Sequence, residues 1–192
     1  MRLARLNTLL LVAIIAINGY IISAPLLPIV TFWTGKHISG QPAHILAQLH
    51  PAASHSEAAP APTDNRLLIP SMQLDVGINE GPDARALRTG PWHRPHSSTP
   101  DKGGNTVIAA HRFTYTQPRG TFYHLDAVAV GDEIGVFWQG KRYLYTVSEV
   151  KVVPPTATEI EAPTTDARLT LYTCTPLWSP KDRLVVIAKE NP

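Results

Sequence analysis

Cysteine is nearly missing from this chain: one residue in 192, Cys174, which excludes a disulfide within the molecule. An excess of charge is missing too. Seventeen Lys and Arg against fifteen Asp and Glu leave a formal charge of +2, and from Arg66 onward the balance is fourteen to thirteen, so no basic domain hides behind an acidic tail. That balance offers no strong field for nucleic acid. After the first forty residues there is no long stretch of helical periodicity, and no internal repeat is visible.

The most local absence is also the most informative. No charge interrupts Leu6 to Trp33, "LNTLLLVAIIAINGYIISAPLLPIVTFW", which Arg2 and Arg5 precede. A helix crossing the hydrocarbon core needs about 20 apolar residues, and this run supplies them. A cleaved signal peptide is the alternative; its best site follows Ala24, but Ile22 is bulky at the upstream position and Pro25 follows the cut, a poor small-x-small match. Residues 1–33 are therefore expected to be a cytoplasmic stub and retained transmembrane anchor. The positive-inside preference puts the N-terminus in the cytoplasm and everything after Trp33 outside.

Residues 34–65, rich in Ala, Pro, Ser and His, show no sustained apolar face and are expected to form an extended or weakly helical spacer. His37, His44, His50 and His55 fall here at intervals of seven, six and five residues, which match no standard ligand spacing.

From Arg66 the texture changes to short apolar runs separated by turn signals, which predicts a β-rich domain over 66–192. Strands are expected in "RLLIP", "MQLDVGI", "NTVIAAH", "RLTLYTC" and "DRLVVIAKE", with a hairpin over 131–153 that turns at Gln139-Gly140. "DARALRTGPW" and "TFYHL" predict short helical turns. Seven or eight short strands avoid exposed edges most simply in a closed or nearly closed barrel.

A lone thiol in an exported domain is unusual, because such domains commonly carry cysteines in pairs. Nucleophilic cysteine chemistry requires a thiolate, a proton donor for the leaving group and a positive or hydrogen-bonding group where an oxyanion develops. Three predicted strands offer these parts at their ends: Cys174 closes "RLTLYTC", His111 closes "NTVIAAH" and Arg183 opens "DRLVVIAKE". Period two puts Thr170, Tyr172 and Cys174 on one face and Leu169, Leu171 and Thr173 on the other, but both faces carry apolar bulk, so the groove face stays open. His93, His96 and His124 are rivals of His111, and a buried thiol acting as a small hydrophobe is the rival reading of Cys174. Spacing along the chain does not bring Cys174, His111 and Arg183 together.

"NTVIAAHR", "LTLYTCTP" and "DRLVVIA", in this order and at these intervals, resemble the three signature segments of the sortases, membrane-anchored cysteine transpeptidases of Gram-positive-type cell surfaces. The resemblance covers essentially all of 66–192. It implies an all-β fold, an eight-stranded sortase-type β-barrel with short helices, here behind one N-terminal transmembrane helix. It further implies Cys174 as nucleophile, His111 as general acid and base, and Arg183 as the residue that orients substrate and stabilises the oxyanion. Thr173, Ala110 and Trp178 are the expected substrate contacts.

The implied reaction cleaves an LPxTG-like C-terminal sorting signal through a thioacyl-enzyme and passes the acyl group to an amine on a cell-wall precursor or a pilin lysine. The implied partners are surface proteins carrying that signal, at the plasma membrane. Ala110 stands where the family often has Gly. "TCTP" resembles the pilin-polymerising subtype, but neither an Asp-Pro-aromatic lid nor a second membrane helix is apparent, which favours a class D or E type over class C. No cofactor is expected; Glu159 and Glu161 would invite calcium, but two nearby loop carboxylates are more often only solvated. The alternative functions are a non-catalytic binding or assembly domain on the same barrel, and an anchored cysteine hydrolase.

Overall fold

Short runs of β-branched and aromatic residues bounded by Gly, Pro and Asp give strands rather than helices once Arg66 is passed. The computed structural model describes residues 2–38, 41–50, 62–114, 122–177 and 179–192. Within them, β1 (Arg66–Ile69), β2 (Leu74–Gly77), β3 (Trp92–His93), β4 (Asn105–Ala109), β5 (Glu133–Trp138), β6 (Lys141–Val153), β7 (Arg168–Thr175) and β8 (Asp182–Glu190) form one curled sheet in the order β2-β1-β5-β6-β8-β7-β4-β3. The two edge strands meet through a bridge between Asn79 and Trp92, where the Asn79 amide donates to the Pro91 carbonyl (2.8 Å) and the His93 amide to the Asn79 carbonyl (2.9 Å). This contact brings the sheet close to closure. Every pairing of named strands is antiparallel except β4 with β7.

The β5–β6 hairpin turns at Gln139-Gly140, as expected, with φ of 50° and 75°. A two-residue turn with positive φ at both positions matches the strand twist. Short helical turns stand at Ala84–Arg88 and Leu125–Ala127, inside or just after the segments where turns are predicted.

One face of the sheet encloses the main core, in which Leu67, Ile108, Phe122, Leu125, Ile134, Leu169, Leu171 and Val186 are fully buried. The alternation left open by sequence is resolved here: Leu169 and Leu171 point inward, so Thr170, Tyr172 and Cys174 belong to the outer face.

Ahead of the barrel, α1 (Arg2–Ser23), a single tight turn (Ala24–Leu26) and α2 (Leu27–Ile38) form an almost continuous apolar rod. The stretch Arg5–Thr34 is long and apolar enough to cross a membrane.

The spacer expectation does not describe all of 34–65. Gln41–Leu49 forms a helix, α3, that lies on the outside of β1, β5 and β6, with Ile45 and Leu49 buried against Leu68 and Phe137 and with Leu144 packed alongside. Two apolar residues four apart are enough to dock a short helix and too few to register as a periodic face. Gly135 makes room for it: a Cβ there would come within 2.1 Å of Leu49 Cδ2. His50 Nε2 donates to Glu133 Oε2 at 2.7 Å and pins the helix end.

Candidate active site

The register of three strands decides what meets at the rim. Along β7, Cys174 lies directly opposite Arg183 of β8, and Thr175 opposite Asp182. On the other side, the parallel β4–β7 ladder ends with Ala109 opposite Tyr172 and is extended by the Ala110 amide, which donates to the Tyr172 carbonyl (3.2 Å). Two residues past the last paired couple, one on each strand, stand His111 and Cys174. The fold thus gathers at one end of the sheet the neighbouring pair Cys174 and Arg183 and a histidine that is distant from both in sequence.

Cys174 and Arg183 are half-buried and His111 is exposed. The Arg183 guanidinium donates from Nη1 to the carbonyls of Pro180 (3.0 Å) and Asp182 (3.1 Å), which tether it to the loop before β8. The His111 carbonyl accepts from the Phe122 amide (2.9 Å), which ties the end of β4 to the segment leading into the Leu125–Ala127 turn.

Thr173 and Ala110 point to the core side, only 1% and 6% exposed. The Thr173 hydroxyl donates to the Ala110 carbonyl (2.8 Å), so this pair fastens β7 to the residue before His111. Trp178 lies outside the described residues.

Of the rival histidines, His93 is buried, donates from Nε2 to the Ser98 carbonyl (2.8 Å) and meets Trp138 edge-on. His124 stacks on Phe32 with ring centroids 4.1 Å apart. His96 is exposed in a turn with φ of 69°.

The outer face below Cys174 is roofed by the β6–β7 connection, whose helical turn is Thr158–Glu161. Asn105 Nδ2 donates to the carbonyls of Ile160 and Ala162, both at 3.0 Å, while its Oδ1 accepts from Thr170 (2.7 Å). Glu161 receives Arg94 in a two-pronged ion pair (2.9 and 3.2 Å) and the Tyr172 hydroxyl (2.5 Å). The Arg94 guanidinium also lies 4.3 Å over the Trp92 ring. Between roof and sheet is a cavity of about 130 Å³ lined by Asn105, Lys151, Glu159, Arg168, Thr170 and Ile187 among others.

Burial first, then the hydrogen bond to Glu161 and its negative charge, pushes the Tyr172 phenol well above its ordinary value near 10, while Arg94 and Arg183 pull the other way.

Sequence reasoning missed Arg94, Asn105 and Tyr172, and read Glu161 only as a solvated carboxylate. Tyr172 was within reach, two residues before Cys174 on its face. Arg94 sits between two more conspicuous histidines. Among the described residues no group of three or more His, Cys, Asp or Glu is placed to hold a metal ion.

A half-buried thiol at a strand end, an arginine across one ladder and a histidine beyond the end of the other lie at one rim of the curled sheet, and a thiol, an imidazole and a cation are side-chain types that cysteine acyl transfer uses. The sequence model of the sortase domain matches residues 67–191, and the chain belongs to the sortase family, whose members are cysteine transpeptidases. No curated protein matches it closely enough to count as a relative. Among solved structures it resembles a lid mutant of sortase C1 from Streptococcus agalactiae (26% identity, 79% of this chain and 83% of that one, TM-score 0.61). It is equally similar to a lid mutant of sortase A from Corynebacterium diphtheriae (29%, 77% of each chain, 0.62). A third is sortase E1 from Streptomyces coelicolor, solved with a tripeptide in its active site (27%, 70% and 91%, 0.59). These likenesses span several classes and single out none.

Proposed function

We propose that this sortase is held at the plasma membrane by its N-terminal helix, N-terminus inside, and joins surface proteins bearing an LPxTG-like C-terminal signal to an amine of a cell-wall precursor or pilin. The observation that carries the reading is the register that sets Cys174 opposite Arg183 and level with His111.

In this reading the Cys174 thiolate attacks the carbonyl of the scissile peptide bond. Negative charge develops on that oxygen, and the Arg183 guanidinium, held at the rim by two carbonyls, stabilises it. The His111 imidazolium gives its proton to the departing amine as the C–N bond breaks, leaving a thioester on Sγ. An incoming amine then attacks the thioester, returns a proton to His111 and expels the thiolate. Trp178 touches the signal from the loop after β7, while Thr173 and Ala110 act on the groove from beneath, through the carbonyl that precedes His111. No cofactor takes part; Glu161 is engaged by Arg94 and Tyr172.

The test incubates the full chain in detergent with sorting-signal peptides and an amine, and follows Cys174 by mass spectrometry. A thioacyl adduct on the wild type, absent in Cys174→Ala, is the expected result. No cleavage across a broad panel by folded, reduced protein refutes the enzymatic reading. Product that forms equally with and without amine refutes transfer in favour of hydrolysis.

A further inference from the structure

A 30-residue apolar helix is longer than a membrane requires, and the surplus has a definite place. At 1.5 Å per residue, Arg5–Thr34 extends about 45 Å, against a hydrocarbon core of about 30 Å. The crossing is complete near Ala24, where the rod is interrupted by the turn Ala24–Leu26, and α2 follows as the excess.

The two faces of this excess differ. Ala24, Pro28 and Phe32 recur every fourth residue along one face, and this face is docked on the barrel. His124 stacks on Phe32 and donates from Nε2 to the Pro28 carbonyl (3.2 Å), and Gln73 donates to the Phe32 carbonyl (2.9 Å). The opposite face presents Leu26, Leu27, Ile29, Val30 and Trp33, exposed by 52, 49, 38, 55 and 60%. Leu26, Leu27, Ile29 and Val30, continuous with the exposed apolar surface of α1 and uninterrupted by charge, suit lipid and not water. Trp33 ends the run in the manner of an interfacial aromatic.

We infer that α2 is a rigid joint, with its inner face bound to the barrel and its outer face covered by the outer leaflet of the bilayer, so that the catalytic domain is seated on the membrane and not suspended from a tether. The inference rests on the anchored reading above. The barrel segment that receives α2 is also the one that contacts His111 and the residues next to it. Tyr123 packs on both His124 and Phe113, Asp126 pairs with Arg112 (2.9 Å), and the Phe122 amide holds the His111 carbonyl (2.9 Å). The seat and the proton donor of the proposed reaction therefore share one structural unit.

The experiment places a benzophenone amino acid at Phe32 or at Val30 in the full chain, reconstituted in phospholipid nanodiscs, irradiates it and maps the adducts by mass spectrometry. The expected pattern is an intrachain adduct from position 32 to the peptide containing 122–127, and a lipid adduct from position 30. Lipid labelling from 32 without the intrachain adduct, or barrel labelling from 30, overturns the inference. Because the position 32 probe alters the docked face itself, the position 30 probe, which leaves that face native, is scored independently. Alkaline extraction of cell membranes separates the two levels: release of the chain refutes the anchor, whereas retention with the wrong labelling pattern refutes only the joint.

Discussion

Replacing Tyr172 by Phe and Glu161 by Gln, singly and together, measures how firmly the roof over the outer face is held. Tyr172 gives Glu161 a hydrogen bond to a charged acceptor, a type of contact that contributes about 1.5–3 kcal/mol when well buried. The Glu161 side chain is 29% exposed, so solvent screening lowers the expectation to about 1–2 kcal/mol for either single change. Arg94 also lies over the Trp92 ring, a contact that none of these changes touches directly, so Glu161→Gln removes its counter-charge and leaves that contact in place to hold it. The double variant should cost less than the sum, with a coupling of about 1 kcal/mol, since residues in one network fail additivity by about 0.5–3 kcal/mol. Urea unfolding of each variant gives the free energies, and each single change should lower the melting temperature by roughly 3–8 °C. If the two changes add to within about 0.3 kcal/mol, the limit for independent sites, the Arg94–Glu161–Tyr172 network does not act as a unit.

Four further outcomes follow from the same geometry. Because the folded protein holds the Tyr172 phenol neutral above its ordinary range, the stability it contributes is complete below about pH 10 and is lost as pH rises further; thermal melts between pH 8 and 11 should fall more steeply for wild type than for Tyr172→Phe. Arg183→Lys keeps the charge but loses the planar fork that two carbonyls hold in place, and should lower kcat/KM for peptide transfer by about 10²-fold, an effect typical of losing one oxyanion donor; near-normal transfer would show that charge alone suffices. Thr173→Val leaves the buried Ala110 carbonyl without its hydroxyl donor and should destabilise by about 1–2 kcal/mol by denaturant titration. Leu49→Ala should cost about 2–3 kcal/mol, the low end for a buried leucine because α3 can shift on its sheet, and should raise hydrogen exchange in 41–50; unchanged exchange would argue against docking.

Seven of the eight strands were legible because their runs are rich in β-branched or aromatic residues and bracketed by turn formers, and Gln139-Gly140 even marked its own turn; the two-residue β3, Trp92–His93, is too short to register and Trp92 was expected in a helical turn. The long apolar helix over Arg5–Thr34 was legible from the missing charge alone. What sequence left open depended on pairing. Whether Tyr172 or Leu171 faces outward could not be decided from a strand apolar on both sides, and it took the ladders to Val185 and Ala109 to decide it. Docking of α3 rests on two side chains and on the absence of a third, the Cβ that Gly135 lacks. Arg94 and Glu161 are 67 residues apart, and no local rule couples charges at that distance along the chain.

The parallel pairing of β4 with β7 carries a kinetic consequence. β4 meets β7 across a separation of 63 residues, Asn105 to Arg168, whereas Cys174 and Arg183 belong to a local hairpin and are nine apart. Contacts of high sequence separation demand the larger loop closure and are gained slowly. Folding should therefore set Cys174 opposite Arg183 early and level with His111 late.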